Sequence, residues 1–222
     1  TTWSYATSGL NLTGRNGHTL TFQAKAYDAV NGGLTNGNSG VSTLTSVIAD
    51  TVSPSFGTNG SDADATTGDT FHFATNVTEA GSGIDGTNGY VKVEYWFGSG
   101  VHTQRAMSLS SGSTYTTSIS VPSDSLSALH YFFAAKDNAL NAETTTSQVD
   151  ANVTDNDNPD VNVTTENTTA TAGDTKTIRA DVTDNIGVDN SSVKLHYKSA
   201  GGSWKTVDMD HDSGESFSAT ID

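Results

Sequence analysis

The sequence predicts an all-β protein built from β-sandwich repeats, and three observations support this prediction. Apolar and polar residues alternate along several segments, such as 91–97, and a period of two residues is typical of a half-buried strand. Serine and threonine supply 62 of the 222 residues while only 33% of the residues are hydrophobic, so the chain can build only thin cores. A unit of about 105 residues also repeats along the chain.

Individual strands follow from the same patterns in chain order. Residues 91–97 alternate between apolar and polar, and so do residues 177–182 and 193–198. The run from His130 to Ala135 is apolar throughout, which predicts a central strand. Clusters of Gly, Asn, Asp and Ser between these segments predict turns, and no segment has the pattern of an amphipathic helix.

The repeat is visible as residue-by-residue matches at a constant distance. The matches lie 105 residues apart and then, after a slip of three residues, 102 apart: Pro54 with Pro159, Gly68-Asp69-Thr70 with Gly173-Asp174-Thr175, Val77-Thr78 with Val182-Thr183, Val91-Lys92-Val93-Glu94-Tyr95 with Val193-Lys194-Leu195-His196-Tyr197, Met107 with Met209, Tyr115 with Phe217, and Ile119 with Ile221. A second set links the start of the chain to its middle: Ala24-Lys25-Ala26-Tyr27-Asp28 with Ala134-Ala135-Lys136-Asp137-Asn138, and Asp50-Thr51-Val52-Ser53-Pro54 with Asp155-Asn156-Asp157-Asn158-Pro159.

The repeat length predicts the domain organisation. About 105 residues is the size of one immunoglobulin-like (Ig-like) sandwich. Residues 54–158 form one complete domain, here called the middle repeat. Residues 1–53, the first segment, match the C-terminal half of a domain, and residues 159–222, the third repeat, match the N-terminal half of another.

The same residues resemble a known family. The resemblance rests on Gly173-Asp174, Ala180-Asp181-Val182-Thr183-Asp184-Asn185-Ile186-Gly187-Val188, Val193-Lys194-Leu195-His196-Tyr197, Gly202-Ser203-Trp204, Met209 and Phe217-Ser218-Ala219-Thr220-Ile221. Together they resemble the tandem Ig-like repeats of archaeal and bacterial surface proteins, which include surface-layer proteins, adhesins and extracellular filaments. The resemblance implies an extracellular location at the cell surface. The middle repeat departs from the pattern, with Asn76 and Glu79 where the third repeat has Asp181 and Asp184.

Composition argues against several classes of partner. The formal net charge is −15, and binding nucleic acid or an anionic membrane surface requires clustered Lys and Arg. The chain has no cysteine, which excludes disulfides, thiol catalysis and cysteine-ligated zinc. No apolar run approaches the length of a membrane span.

No residue pattern predicts catalysis, so we expect that the protein is not an enzyme. The sequence lacks a G-x-S-x-G motif, and its six histidines are scattered without metal-ligand spacing. The adjacent residues His211, Asp212 and Ser213 predict a polar turn, because catalytic triads form in space and not in line. A pair of carboxylates for glycoside hydrolysis would need a deep cleft, which small sandwiches seldom have.

Calcium is the one cofactor that the sequence suggests, and the alternative is no cofactor. The linker Asp155-Asn156-Asp157-Asn158-Pro159-Asp160 concentrates oxygen donors between two repeats and is similar to the calcium-stiffened linkers of cadherin repeats. Asp137 with Asn138, or Asp184 with Asn185, could supply further ligands. The equivalent linker that starts at Asp50 is poorer in donors. Asp/Asn-rich turns also form without a metal.

Glycosylation is the other predicted modification. The N-x-[ST] acceptor pattern occurs at seven positions: Asn11, Asn59, Asn76, Asn152, Asn162, Asn167 and Asn190. The abundance of Ser and Thr accounts for most of these motifs, so they matter only if the chain is secreted. If it is, we expect N-linked glycans at several of them.

The favoured function is that of a structural subunit in an extracellular filament or surface array. If Thr1 is a mature terminus, the half-domains could complete one another between copies, head to tail, and such a contact does not close on itself. If the chain is trimmed from a longer one, the partners are neighbouring repeats of that chain. The alternatives are an adhesin, a carbohydrate-binding module that uses Trp3, Trp96 or Trp204, and a spacer in a secreted enzyme.

Overall fold

The computed structural model describes residues 14–27, 39–84, 86, 90–165 and 169–222. Within these ranges the chain forms 21 β-strands and no helix, which confirms the all-β prediction. No helix that could span a membrane occurs in the described ranges. The chain divides into two compact units: the first comprises Thr1–Ala63, His72–Ser118 and Leu129–Asp150, and the second comprises Asp64–Phe71, Ile119–Ala128 and Ala151–Asp222.

The first segment forms two short antiparallel ladders. Its strands are β1 (Thr19–Phe22), β2 (Lys25–Tyr27), β3 (Ser39–Val41) and β4 (Thr45–Ile48). β1 pairs with β4, and β2 pairs with β3. Apolar side chains on this segment are largely exposed: Phe22, Tyr27, Val41, Leu44, Val47 and Ile48.

The middle repeat contains eleven strands in three sheets. They are β5 (Ser55–Asn59), β6 (Ala65–Thr66), β7 (Thr70–Thr78), β8 (Tyr90–Phe97), β9 (Thr103–Ala106), β10 (Ser108–Ser111), β11 (Thr114–Ser120), β12 (Leu129–Lys136), β13 (Thr144–Thr145), β14 (Val149–Ala151) and β15 (Val153–Thr154). One sheet has the order β10-β11-β7-β5, and a second has the order β13-β12-β8-β9 with β14 also on β12. β15 and β6 form a short parallel pair. β12 is a central strand, as the run from His130 predicts.

The third repeat reproduces the front of the middle repeat strand by strand. Its strands are β16 (Asp160–Val163), β17 (Lys176–Thr183), β18 (Lys194–Tyr197), β19 (Lys205–Asp208), β20 (Asp210–Ser213) and β21 (Ser216–Ile221). The sheet order β16-β17-β21-β20 matches β5-β7-β11-β10, and β18 pairs with β19 as β8 pairs with β9. Even the irregularity between Leu109 and Ser111 recurs between His211 and Ser213.

The two repeats differ in how deeply their strands are buried. In the middle repeat the ring of Phe73 contacts Tyr95 and Tyr131, and Tyr131 also contacts Phe133, so that aromatic rings fill the core. In the third repeat a smaller core contains Ala180, Val182, Met209, Phe217 and Ala219, with Val188, Val193, Leu195 and Val207 packed against it and only partly buried.

Candidate metal centre and surface sites

Three carboxylates of the first unit meet at the ends of three strands. Asp50 follows β4, Glu79 follows β7 directly, and Asp137 follows β12 directly. One oxygen from each lies within 4.8 Å of the others, and this is the one such group of three metal-ligating side chains in the described ranges. We call these three residues the acidic cluster.

Asp50 is held by donors on both sides of its carboxylate. Its Oδ2 accepts hydrogen bonds from the Ser82 hydroxyl at 2.6 Å and the Ser82 amide at 2.9 Å, and its Oδ1 accepts one from the Val52 amide at 3.0 Å. Burial raises the pKa of Asp50, but the bonds from Ser82, Val52 and Asn141 together bring it below its usual value. The charged form is therefore favoured.

Glu79 is fixed by the backbone of the loop that follows it. Its two carboxylate oxygens accept hydrogen bonds from the Gly81 amide at 2.8 and 2.9 Å, and Oε2 also accepts one from the Gly83 amide at 2.6 Å. The loop that follows Glu79 therefore wraps around the Glu79 carboxylate.

Asp137 is the buried member of the acidic cluster, with none of its surface exposed. Its oxygens accept hydrogen bonds from the Asn141 amide at 3.0 Å and the Asn141 side chain at 2.9 Å. The intervening turn contains Leu140 with a φ of 64°, a left-handed conformation that is uncommon outside glycine. The Ala139 amide in this turn donates to the Ser82 hydroxyl at 3.0 Å, which links the turn to the loop that follows Glu79.

The acidic cluster concentrates negative charge without a basic partner. No Lys, Arg or His forms an ion pair with these three carboxylates among the residues that the structure describes. Burying an uncompensated charge is costly, so a bound cation would stabilise the cluster. Calcium binds carboxylate and carbonyl oxygens in flexible geometry, and the donor set here is of that type.

Of the five predicted calcium ligands, only Asp137 belongs to a group of three metal-ligating side chains in the described ranges, and Asp155, Asp157, Asp160 and Asp184 do not. Asp155 Oδ1 accepts hydrogen bonds from the Thr67 hydroxyl at 2.8 Å and the Asp157 amide at 3.1 Å. Asp160 is exposed at the start of β16. Asp184 Oδ1 accepts the amides of the two residues that follow Asn185, at 2.9 Å each.

Two residue differences in the facing loop distinguish the second linker from the first. Asp155 and Asp184 occupy the repeat positions of Asp50 and Glu79, 105 residues further on. The equivalent of Gly81 is Ile186, and a Cβ built on Gly81 would lie 2.4 Å from the Asp50 Cγ. The equivalent of Ser82 is Gly187, which lacks the hydroxyl that donates to Asp50. The second linker thus has less room for the carboxylate and one donor fewer to hold it.

Asn185, a predicted auxiliary ligand, lies close to the second linker. Its side-chain nitrogen donates to the Ser123 carbonyl at 2.6 Å, and its Oδ1 is a buried atom without a hydrogen-bond partner.

The sequence alone did not identify Asp50 and Glu79 as a pair of metal ligands. The signal was present, because both residues align with acidic residues of the next repeat.

The predicted glycosylation acceptors differ in exposure. Asn59, Asn152, Asn162 and Asn190 are exposed. Asn59 donates its amide nitrogen, the atom that would carry the sugar, to the Tyr131 hydroxyl at 3.0 Å, and Asn76 is half-buried on β7. Asn11 and Asn167 lie outside the described residues.

The tryptophans differ in their surroundings. Trp96 lies between two imidazoles from the neighbouring strands: His102 stacks on it at 3.8 Å and His130 lies at 5.5 Å. The Trp96 indole therefore packs against other rings of the same protein. Trp204 is exposed, with the Lys198 ammonium 4.8 Å from its ring, and Trp3 lies outside the described residues.

The segment His211-Asp212-Ser213 lies on strand β20, so the prediction of a turn was wrong. Pairing with β21 places the His211 ring against Phe217, at 5.1 Å between centroids. Asp212 is paired with Arg179 at 2.6 Å. Asp212 therefore forms a cross-strand ion pair.

Comparisons with known proteins are sparse. No protein-family model matches the sequence, and no curated protein sequence matches it. Among solved structures, the chain is similar to the crystal structure of a tetra-tandem repeat in the extending region of a large adhesion protein, with 18% identity and a TM-score of 0.37. The match covers 96% of this chain and 50% of that one, so the chain spans about half the length of that structure. A likeness at this level assigns neither fold nor function.

Proposed function

We propose that the protein is a non-catalytic structural component of an extracellular filament or surface array. The observation that carries this proposal is the duplicated sheet: β16-β17-β21-β20 repeats β5-β7-β11-β10 in order, and the irregularity of β10 recurs in β20. Tandem units of one design extend a chain in one direction, and their junctions set its stiffness. The Ig-like identity of the sandwiches and their location at the cell surface belong to the same proposal.

Electron microscopy of native material tests this role. Extended filaments or ordered arrays that contain this chain are the expected result. Dispersed globular particles would contradict the proposal.

Calcium is the second part of the proposal, and the acidic cluster is its site. The cluster gathers residues from the end of the first segment and from two loops of the middle repeat, namely Asp50, Glu79 and Asp137. An ion bound to all three would fasten these chain segments to one another. Removing it would leave three like charges to repel one another, so the junction would loosen.

Glycans are the third part, and the surroundings of each acceptor nitrogen decide which acceptors carry them. We expect sugar at the exposed residues Asn152, Asn162 and Asn190, and none at Asn59, which is also exposed but whose amide nitrogen is bonded to the buried Tyr131. Glycopeptide mass spectrometry of native material is the check. Sugar on Asn59 with none on the other three positions would contradict the assignment.

A further inference from the structure

We infer that the second junction, where residues 155–160 join the middle repeat to the third repeat, is a hydrogen-bonded clasp that holds without calcium and that Asn185 closes. This inference rests on the proposed structural role and deepens it, because it separates the regulation of this junction from that of the first junction, at the acidic cluster. Three features carry it: the loops around the second linker, the donors that bind its carboxylates, and the side chains that differ between the two junctions.

The first feature is a pair of middle-repeat loops that pack with the third repeat. Residues 64–71, which contain the turn between β6 and β7, and residues 119–128, which contain the loop between β11 and β12, lie in the second compact unit with the linker and the third repeat. β15, which leads into the linker, pairs with β6. The Val121 amide donates to the Asp69 carbonyl at 2.8 Å, which joins the two loops. The second linker therefore begins on a hydrogen-bonded support.

The second feature is that the protein's own donors bind the carboxylates of this region. Asp155 Oδ1 accepts hydrogen bonds from the Thr67 hydroxyl at 2.8 Å and from the Asp157 amide at 3.1 Å. Thr67 is only 1% exposed, so the bond fixes the linker to a buried side chain. The bond from Thr67, followed by that from the Asp157 amide, lowers the pKa of Asp155 below its usual value. The charged carboxylate is thus stabilised by neutral donors.

Asn156 makes the next attachment of the linker. Its side-chain nitrogen donates to Asp69 Oδ2 at 2.9 Å, and the same oxygen accepts the Thr66 hydroxyl at 2.7 Å. The bonds from Thr66 and then Asn156 lower the pKa of Asp69. Hydrogen bonds to an ionised acceptor are stronger than those between neutral groups. The linker is therefore bound to the turn after β6 by a charge-assisted bond that needs no metal.

Asn185 makes the attachment from the side of the third repeat. Its side-chain nitrogen donates to the Ser123 carbonyl at 2.6 Å and lies 3.5 Å from Asp155 Oδ1. Both neighbours are acceptors, so the amide has to present its nitrogen to them and not its oxygen. One side chain thus joins the loop after β17 to the linker and to the loop between β11 and β12.

The third feature is a difference in residue type between the two junctions. Asn156 and Asn185 correspond to Thr51 and Ala80, which lie 105 residues earlier, so the first junction has neither amide. At the first junction the linker carboxylate instead belongs to the acidic cluster. Like charges that lie close together repel one another, and a divalent cation relieves that repulsion. Neutral amides bound to separate carboxylates gain no comparable stabilisation from a cation.

The two junctions therefore depend on different conditions. Removing calcium should loosen the attachment of the first segment at the acidic cluster. The third repeat should stay fastened to the two loops of the middle repeat, because none of the bonds of the clasp includes a metal. The linker richest in Asp and Asn is thus the one whose stiffness does not follow calcium.

Distances between spin labels test the inference in the 222-residue chain, which has no cysteine of its own. Labels on Asp124→Cys and Asp210→Cys report on the second junction, and both positions are exposed. Labels on the exposed positions Thr45→Cys and Ser147→Cys report on the first junction. The distance distribution at the second junction should be narrow, and it should be the same with calcium as with a chelator. The distribution at the first junction should narrow when calcium is added.

Variants of the two amides identify the clasp. Asn185→Ala removes one net hydrogen bond, so the population outside the main distance peak should rise about fivefold. Adding Asn156→Ala should raise it about fivefold again. Asn185→Asp keeps the shape of the side chain but replaces its donor by an acceptor, so it should open the junction further than Asn185→Ala does.

Asn158→Ala is the matched control. It removes an exposed amide from the same linker, and the Asn158 side chain makes no hydrogen bond among the described residues. The distance distribution at the second junction should therefore stay unchanged.

Each outcome has one meaning. A second junction that does not respond to calcium, opens in the Asn185 variants and stays closed in Asn158→Ala supports the inference. A second junction that narrows only with calcium, or that the Asn185 variants leave unchanged, overturns it. If the second junction behaves as inferred while the first does not respond to calcium, the clasp is supported and the calcium part of the proposed function is wrong. Electron microscopy without filaments or arrays would contradict the structural role and leave the clasp supported.

Discussion

The middle and third repeats build the same four-stranded sheet, but they bury the equivalent strands β8 and β18, which lie outside that sheet, to different extents. Val93 on β8 is completely buried, whereas its equivalent Leu195 on β18 is only partly buried. The difference is β12, which pairs with β8 and supplies the rings of Tyr131 and Phe133 to the core. One sheet sequence thus yields a sealed or an open core according to whether a strand from the back half is present.

The two linkers give a second comparison with the same lesson. Asp50 joins the acidic cluster because Gly81 leaves room for its carboxylate and Ser82 binds it. Asp155 has Ile186 at the position of Gly81, and it bonds to Thr67 instead. Counting acidic residues in a linker is therefore a poorer guide to a cation site than the shape of the facing loop.

The largest expected effect is a loss of stability when a core side chain is truncated, and it should differ between the middle and third repeats. Phe133→Ala should lower the free energy of unfolding by about 3–5 kcal/mol, because it removes a buried ring that contacts Phe56 and Tyr131. Val161→Ala, its matched control in the third repeat, should change it by about 0.5 kcal/mol or less, because that side chain is exposed. Denaturant titrations of the two variants measure both effects. Similar losses from both would remove the contrast between a sealed and an open core.

The next effect concerns calcium at the acidic cluster. Calcium at about one hundred times its dissociation constant should stabilise the wild type by about 2.7 kcal/mol. Asp137→Asn should abolish most of this gain and should stabilise the calcium-free protein, because it relieves repulsion with Asp50 and Glu79. Asp155→Asn is the matched control and should keep the gain. Thermal unfolding with calcium and with a chelator provides the measurement, and an equal response of all three proteins would contradict the site.

A smaller effect comes from the loop beside Asp50. Gly81→Ala places a methyl group where the Asp50 carboxylate sits, so calcium affinity should fall about tenfold, or about 1.4 kcal/mol. Gly60→Ala is the control, because a Cβ there meets Ala74 at an ordinary 3.6 Å. Calorimetric titration compares the two variants. Unchanged affinity in Gly81→Ala would show that Asp50 is not a ligand.

The smallest expected effect is a pH dependence of stability that comes from Glu94 on β8 of the middle repeat. Hydrogen bonds from His102 and then Gln104 lower the pKa of Glu94 below its usual 4.5, whereas the third repeat has His196 at this position. Because the folded pKa is the lower one, the stabilisation is present above the usual value and is lost as the pH falls through the folded value. It should amount to about 0.5 kcal/mol, since ion pairs and hydrogen bonds near the protein surface are screened by solvent.

Glu94→Gln should remove this pH dependence and leave the rest of the acid transition unchanged. Parallel denaturant titrations at pH 6 and pH 3 of the variant and the wild type make the comparison. A variant with the full pH dependence of the wild type would place its origin elsewhere.

Much of the architecture follows from the sequence, because strand alternation and repeat spacing depend on residues close together in the chain. The match of Met107 with Met209 corresponds to the same position before β10 and before β20. The hydrogen bonds of Ala24 to Ser42 match those of Phe133 to Thr146, one position away from the sequence match of Ala24 with Ala134, and no sequence pattern shows these contacts. The acidic cluster was missed for a similar reason, since it depends on the space above Gly81.

The difference in burial between β8 and β18 is the central claim, and amide hydrogen exchange of the 222-residue chain tests it most directly. The amides of β18 should exchange much faster than those of β8, because β8 is paired on both sides and β18 on one among the described residues. Protection of β18 that equals that of β8 would contradict the account.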